Sequence, residues 1–133
     1  MTPRDQGVGA ISTAAGVLVF LVFLLGAVQL LFGLYASSTV TAVANDAVQR
    51  AAVEGAPAHA VIEEDARAAL GQVGDAADFT WAVDDADGDG RDDTIVLRVV
   101  AVPPRFVPRS LGEGLGFGVI DRTVRARLEE PQP

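Results

Sequence analysis

The hydrophobic positions of this chain are concentrated in one block near its N-terminus. No Asp, Glu, Lys or Arg occurs between residues 8 and 34, and the centre of that block, residues 16–26, is apolar around the whole helix circumference. A bilayer core about 30 Å thick needs about 20 helical residues, and this block would extend about 40 Å as a helix. A core helix in so small a domain would keep a polar face. The block therefore predicts one transmembrane helix over residues 8–35, after a leader of residues 1–7.

After residue 35 the pattern becomes that of an amphipathic helix. Asp46, Gln49 and Arg50 lie opposite apolar residues that recur at steps of three and four, namely Val40, Val43, Ala44, Ala47, Val48 and Ala51. Gly55 suits the end of this helix, and Pro57 suits the first turn of the next. The second helix is expected to bury Val61 or Ile62, together with Ala66, Ala69, Leu70 and Val73. Residues 36–73 are thus predicted to form a stalk of two helices.

From Asp78 onward the apolar residues alternate with polar ones, which is typical of strands. Phe79, Trp81 and Val83 start this pattern, an Asp/Gly turn follows, and a β-branched strand is predicted over residues 94–102. A last strand is predicted over residues 119–128, with Arg125 and Arg127 opposite an apolar face of Val124, Ala126 and Leu128. The expected fold class is α+β: a long transmembrane helix continuing into an amphipathic helix, a second short helix, and a three-stranded antiparallel sheet within residues 74–133.

Composition narrows the classes of function. The chain carries a formal net charge of -8, nearly all of it after the apolar block, and an acidic surface does not bind nucleic acid. The absence of cysteine excludes disulfides, thiolate metal sites and cysteine nucleophiles. His59 has no second histidine to act with, and no serine has the surroundings of a nucleophile. We therefore expect a non-enzymatic protein without a resident cofactor.

One loop has the composition of a cation site. Carboxylates at alternate positions around Gly88 and Gly90 resemble those of a calcium-binding loop, and the candidate ligands are Asp85, Asp87, Asp89 and Asp93. Position twelve, where an EF-hand has a bidentate Glu, is Val96, and the loop lies between predicted strands. The alternative is a solvated hairpin turn, since Asp and Gly are residues that turns favour.

Small residues in the apolar block indicate where a second helix could pack. Small side chains spaced four or seven residues apart allow close approach of helix backbones in lipid, and a polar amide can form a hydrogen bond between helices. The candidate packing residues are Ser12, Gly16, Gly26, Gln29, Gly33 and Ser37. The alternative is that glycines are simply frequent in membrane helices and that Gln29 lies near the interface.

Charge flanking the block indicates orientation. Arg4, offset by Asp5, precedes it, and no positive charge follows until Arg50. The positive-inside rule then places the N-terminus in the cytoplasm and the bulk of the chain outside the cell membrane. A cleaved signal peptide is the rival interpretation, because residues 42–44 read Ala-Val-Ala, although the block exceeds the length of an ordinary signal core.

The order of these parts resembles that of the TadE-like proteins, small pilin-like proteins of tight-adherence (Flp-type) pilus systems. The resemblance rests on a polar leader, a glycine, an uncharged helix containing Gln29, and a small-residue helix from Leu34 to Ala52. It covers residues 4–55 best, and the Arg-only, Ala/Val-rich composition is similar to actinobacterial members. It implies a single-pass component that assists assembly or anchoring of a pilus-like or secretion apparatus. Its implied partners are lipid and sibling TadE-like chains or other membrane proteins of that apparatus.

One departure from the family pattern concerns processing. The family's prepilin site has a glycine followed five residues later by a glutamate, whereas Gly7 is followed by Ser12 and Gly9 by Ala14. Neither fifth residue carries a carboxylate, so a mature chain beginning at or near Met1 is expected. A charge in lipid is costly and is retained only for a use, so its absence favours a membrane-anchored accessory component. Two alternatives remain open: a membrane-tethered calcium-binding or adhesive module, and a minor pilin incorporated in the filament.

Overall fold

The computed structural model describes residues 3–53, 55–85, 88, 90, 93–106 and 118–128. Helix α1, Pro3–Ala52, is unbroken, so the apolar block and the amphipathic segment form one rod about 75 Å long. Helix α2, His59–Leu70, runs back along α1 and is followed by a short 3-10 helix, Gly71–Ala76. The sheet contains β1, Asp78–Asp84, β2, Thr94–Ala101, and β3, Ile120–Arg127. This architecture confirms the predicted α+β class.

The three strands form an antiparallel sheet in the order β1-β2-β3. Trp81 pairs with Leu97, which in turn pairs with Val124. On this inward face β2 and β3 pack against α1, while Trp81 of β1 contacts α2. Leu97 on the central strand is completely buried. Because side chains alternate along a strand, Arg125 lies on the other, exposed face. The face assignment predicted for β3 is therefore confirmed.

The core lies between the sheet and the C-terminal half of α1. The buried stripe on α1 recurs every three or four residues and consists of Ala36, Val40, Ala44, Ala47, Val48, Ala51 and Ala52. Small residues on this stripe allow the head, defined here as α2 and everything after it, to approach the helix axis closely. On α2 the structure chooses Ile62 over Val61, and it buries Ala66 and Leu70 while leaving Ala69 exposed.

The turn from α2 into β1 is organised by Arg67. Its Nη1 donates to the carbonyl oxygen of Ala77 at 2.6 Å, and its guanidinium lies 4.9 Å from the ring centroid of Phe79. Gly74 passes so close that a built Cβ would lie 2.3 Å from the backbone oxygen of Arg67. The sequence pattern did not predict this 3-10 helix. Its position depends on the hydrogen bond donated by Arg67 and on the close approach that Gly74 allows.

Candidate functional site: where the head meets the apolar helix

The two halves of α1 have different surroundings within the part of the chain that the structure describes. Residues 9–28 are exposed around the helix, apart from the partly covered Gly26, and we call them the bare half. Residues 29–52 carry the buried stripe, and we call them the covered half. The bare half is about 20 residues long, which is about 30 Å of helix. By length and composition, α1 is apolar enough to cross a membrane or to serve as a signal anchor.

Gln29 marks the boundary between the two halves. Its side chain is only 2% exposed, although it belongs to the apolar block. Its Oε1 accepts a hydrogen bond of 2.8 Å from the backbone N–H of Phe106, 77 residues later in the chain. Gln29 therefore forms a contact within its own chain, with the head, at the position where the sequence suggested a contact between helices.

The segment that reaches Gln29 is the strap, defined as residues 102–106 after β2. Pro103 is buried, whereas Pro104, Arg105 and Phe106 are exposed. The Phe106 ring lies 5.2 Å from the ring of Phe32, tilted by 52°. A tilted pair at this distance is a favourable aromatic geometry. The strap is thus held to α1 by one hydrogen bond and one ring contact.

Arg122 holds β3 to the same helix, about two turns further along. Its Nη2 donates to Ser37 Oγ at 2.8 Å and its Nε to Thr41 Oγ1 at 3.3 Å. Arg122 is in register with Val99 and therefore points to the inward face of the sheet. The sequence pattern alone assigned no role to Arg122, although its position in the alternation, shared with Val124 and Ala126, was the signal that could have placed it inward.

A cavity of about 370 Å³ lies between these two contacts. It opens beside the strap, where the start of β3 comes close to α1. Its lining combines the helix residues Gln29, Leu30, Gly33, Leu34 and Ser37 with Pro103 and residues 118–122. Three of these residues, Gln29, Ser37 and Arg122, form the hydrogen bonds that hold the head on the helix, so the cavity belongs to that junction.

The six predicted helix-packing residues separate into two groups. Ser12 is exposed on the bare half, and a Cβ built on Gly16 or Gly26 would meet nothing within 4 Å. These three positions remain available to another helix. In contrast, Gln29, Gly33 and Ser37 line the junction with the head. Contact of these three with a second chain stays a prediction.

The aspartate loop is partly described. Asp85 accepts hydrogen bonds of 2.7 Å from the N–H groups of both Gly88 and Gly90, whose φ values of 76° and 85° suit glycine. Asp93 lies 3.2 Å from Arg127 and accepts a hydrogen bond from the Thr94 hydroxyl. The candidate ligands Asp87 and Asp89 lie outside the described residues. Asp85 thus stabilises the turn, and Asp93 forms an ion pair with Arg127. Calcium binding stays a prediction.

Two aromatic residues join α2 to β1. The rings of His59 and Trp81 stack with centroids 4.4 Å apart, and Trp81 Nε1 donates to Glu63 Oε1 at 2.8 Å. Trp81 is half-buried, so it combines core packing with one polar contact. His59 is exposed, as expected, and packs on a partner that its sequence position did not reveal.

Two exposed ion pairs, one within the sheet and one between α1 and α2, shift the pKa values of Asp121 and Arg50. The hydrogen bond from Arg98 to Asp121, 3.0 Å from Nε to Oδ1, lowers the pKa of Asp121 below its ordinary value of 3.8. The hydrogen bond from Arg50 to Asp65 raises the pKa of Arg50, and Asp46 adds a weaker attraction. Both pairs are exposed and contribute little to stability.

Comparison of this chain with protein-family models, curated proteins and solved structures finds no match.

Proposed function

We propose that this chain is a non-enzymatic, single-pass membrane protein, a TadE-like component that assists assembly or anchoring of a pilus-like or secretion apparatus. The division of α1 supports this proposal: residues 9–28 are uncovered over about the thickness of a bilayer core, and the rest of the same helix carries the head. A helix with a bare N-terminal half and an α+β head on its C-terminal half is the arrangement that the pilin-like resemblance implies.

In this proposal the two halves have separate tasks. The bare half packs with helices of sibling chains or other membrane proteins of the apparatus, with the small residues Ser12, Gly16 and Gly26 available for close approach. The head meets partners outside the membrane. The N-terminus is cytoplasmic and the head extracytoplasmic, because Arg4 precedes the apolar block and the next positive charge is Arg50.

Retention of the helix is supported by the core. Ala44, within the small-residue sequence that could suit a signal peptidase, is 0% exposed beneath the head. Cleavage there would remove Ala36, Val40 and Gln29, which the head covers. A chain whose core includes the C-terminal half of its apolar helix is better suited to a permanent anchor than to a cleaved signal.

Photo-crosslinking in the native membrane tests the proposed partners. A photoreactive residue at Gly16 should capture a sibling chain or a membrane protein of the pilus or secretion system. The matched control is Leu18, at nearly the same depth but about 200° around the helix, where capture of that partner should be much weaker. Capture of lipid alone at both sites, or release of the chain by a carbonate wash, would contradict the proposal.

Fractionation separates the accessory component from a minor pilin. Shearing the cells and probing the filament fraction should leave the chain in the membrane fraction. Recovery of the chain in sheared filaments would instead support the minor-pilin alternative. Mass spectrometry of the native protein should find an N-terminus at or near Met1, and a chain beginning at Val8 would show prepilin-type processing.

A further inference from the structure

The two sides of α1 change from apolar to polar at different positions along the helix axis. On the side away from the head, exposed apolar residues continue through Leu31 to Tyr35, which is 70% exposed, and the next residue on that side is Ser38. On the side of the head, protein already covers the helix at Gln29. Six residues separate Gln29 from Tyr35, which is about 9 Å of helix. The lower end of the head therefore overlaps the apolar part of α1.

That lower end has an apolar outer surface. We define the base of the head as the strap together with residues 118–120. Within it, Val102, Phe106 and Val119 are 41%, 52% and 56% exposed. Phe32, which contacts Phe106 from the helix, is itself 45% exposed. The exposed apolar surface of the base is therefore continuous with that of α1.

The backbone at three of the five strap residues is also suited to a medium without water. Lipid provides no partner for a backbone N–H, so irregular segments enter the apolar layer only where the chain itself satisfies these groups. Pro103 and Pro104 have no N–H, and the N–H of Phe106 donates to Gln29 Oε1. A polar amide within an apolar block thus has a clear purpose: it is the hydrogen-bond acceptor for the strap.

We infer that the base of the head is inserted into the interfacial layer of the bilayer, with Phe106 and Val119 in contact with lipid and Gln29 accepting the strap's N–H at that depth. The inference rests on the membrane anchor proposed above. Tyr35 then lies at the level of the lipid headgroups on the opposite side, as is common for tyrosines in membrane proteins. The head is seated on the membrane in one orientation, because the strap inserts on one side of α1 only.

Site-directed spin labelling tests this insertion, and the chain has no native cysteine to remove. The full-length chain is placed in phosphatidylcholine/phosphatidylglycerol nanodiscs with a nitroxide at Phe106→Cys. The controls are Leu21→Cys on the bare half and Val83→Cys at the far end of the head. The native side chains at these two positions are 54% and 53% exposed, which matches the 52% exposure of Phe106. Collision with oxygen and with a water-soluble nickel chelate is measured for each label.

The label at residue 106 should resemble the one at residue 21, with high oxygen and low nickel accessibility, and V119C should give the same result. The label at residue 83 should be several-fold more accessible to nickel. Nickel accessibility at residues 106 and 119 equal to that at residue 83, with residue 21 protected, would overturn the insertion and leave the anchor intact. Nickel access at residue 21 as well would overturn both proposals.

Substitution of the acceptor tests the role of Gln29. In the F106C background, Gln29→Leu makes the helix more apolar but removes the acceptor. The strap should then leave the interfacial layer, and nickel accessibility at residue 106 should rise several-fold. Val28→Leu, at the neighbouring position, should leave it unchanged. Unchanged accessibility in the Gln29 variant would overturn the acceptor role.

Discussion

The guanidinium of Arg122 lies against the hydroxyl of Ser37, with 2.8 Å between Nη2 and Oγ, although the two residues are 85 positions apart in the chain. This contact joins the last strand to the first helix. The hydrogen bond between Phe106 and Gln29 joins the strap to the same helix, about two turns nearer the N-terminus of α1. Together the two contacts fix the position of the head along the axis of α1 and its rotation about that axis. This is the relationship that a membrane-anchored head needs if its partners are to meet it in a defined orientation.

Removal of the Arg122 contact should loosen β3 from the helix. We expect Arg122→Ala to lower the free energy of unfolding of the head by about 0.5–1.5 kcal/mol, the range of a typical intramolecular hydrogen bond. The effect should lie toward the lower end of that range, because these contacts are exposed. Thermal unfolding in detergent, followed by the fluorescence of Trp81, measures the change. Arg125→Ala is the matched control on the outward face and should change the stability by less than about 0.5 kcal/mol. Equal effects of the two variants would contradict the inward role of Arg122.

The rotation of α2 about its axis can be tested with two neighbouring residues. Ile62 is completely buried against the core and Val61 is 49% exposed. Ile62→Ala should lower the free energy of unfolding by about 2–5 kcal/mol, because it removes buried methyl groups and leaves a cavity. Val61→Ala should change it by no more than about 0.5 kcal/mol. Chemical denaturation of both variants provides the measurement, and a larger loss at Val61 would mean that α2 packs through its other side.

The contact between α2 and β1 depends on an acceptor at position 63. Glu63→Gln keeps an oxygen for the Trp81 Nε1–H and should retain the wild-type stability. Glu63→Met removes the acceptor, and we expect a loss of about 0.5–1.5 kcal/mol. Because Trp81 is the only tryptophan of the chain, its emission spectrum should also shift in the Met variant and not in the Gln variant. Identical behaviour of the two variants would show that the charge or the packing of Glu63 matters more than the hydrogen bond.

Acid should weaken the head through Asp121. Hydrogen bonding by Arg98 lowers the pKa of Asp121 below 3.8, so the folded state binds its proton less tightly than the unfolded state does. The stabilising contribution is complete above pH 3.8 and is lost as the pH falls through the lower pKa of the folded state. Asp121→Asn should therefore reduce the melting temperature slightly at neutral pH. It should have no effect at a pH below the pKa of Asp121 in the folded state.

The effect should be small, because both partners are exposed to solvent. Arg98→Gln is the matched variant and should remove the same pH dependence. A difference between wild type and the Asn variant that persisted unchanged to the lowest pH would contradict this origin.

Much of the fold followed from patterns that act over short distances. The length of the apolar block, the steps of three and four from Val40 to Ala51 and the alternation around Trp81 all predict the observed elements, because local geometry decides which side chains share a face. The strand predicted over residues 94–102 agrees with β2 to within one residue. The alternation of apolar and polar residues in β3 also placed Val124 and Ala126 on the inward face, as the sequence predicted.

The sequence by itself therefore determined that α1 is a membrane-length helix with an amphipathic continuation, and that a small antiparallel sheet follows it. Only the tertiary structure decided that Gln29 and Ser37 belong to the head's own attachment, that Ile62 is buried in preference to Val61, and that a 3-10 helix turns the chain into β1. The physical reason is that these features depend on contacts between residues far apart in the chain. Such contacts leave no period in the sequence, since a glutamine that accepts from a strap 77 residues away has the same local pattern as one that faces a second helix.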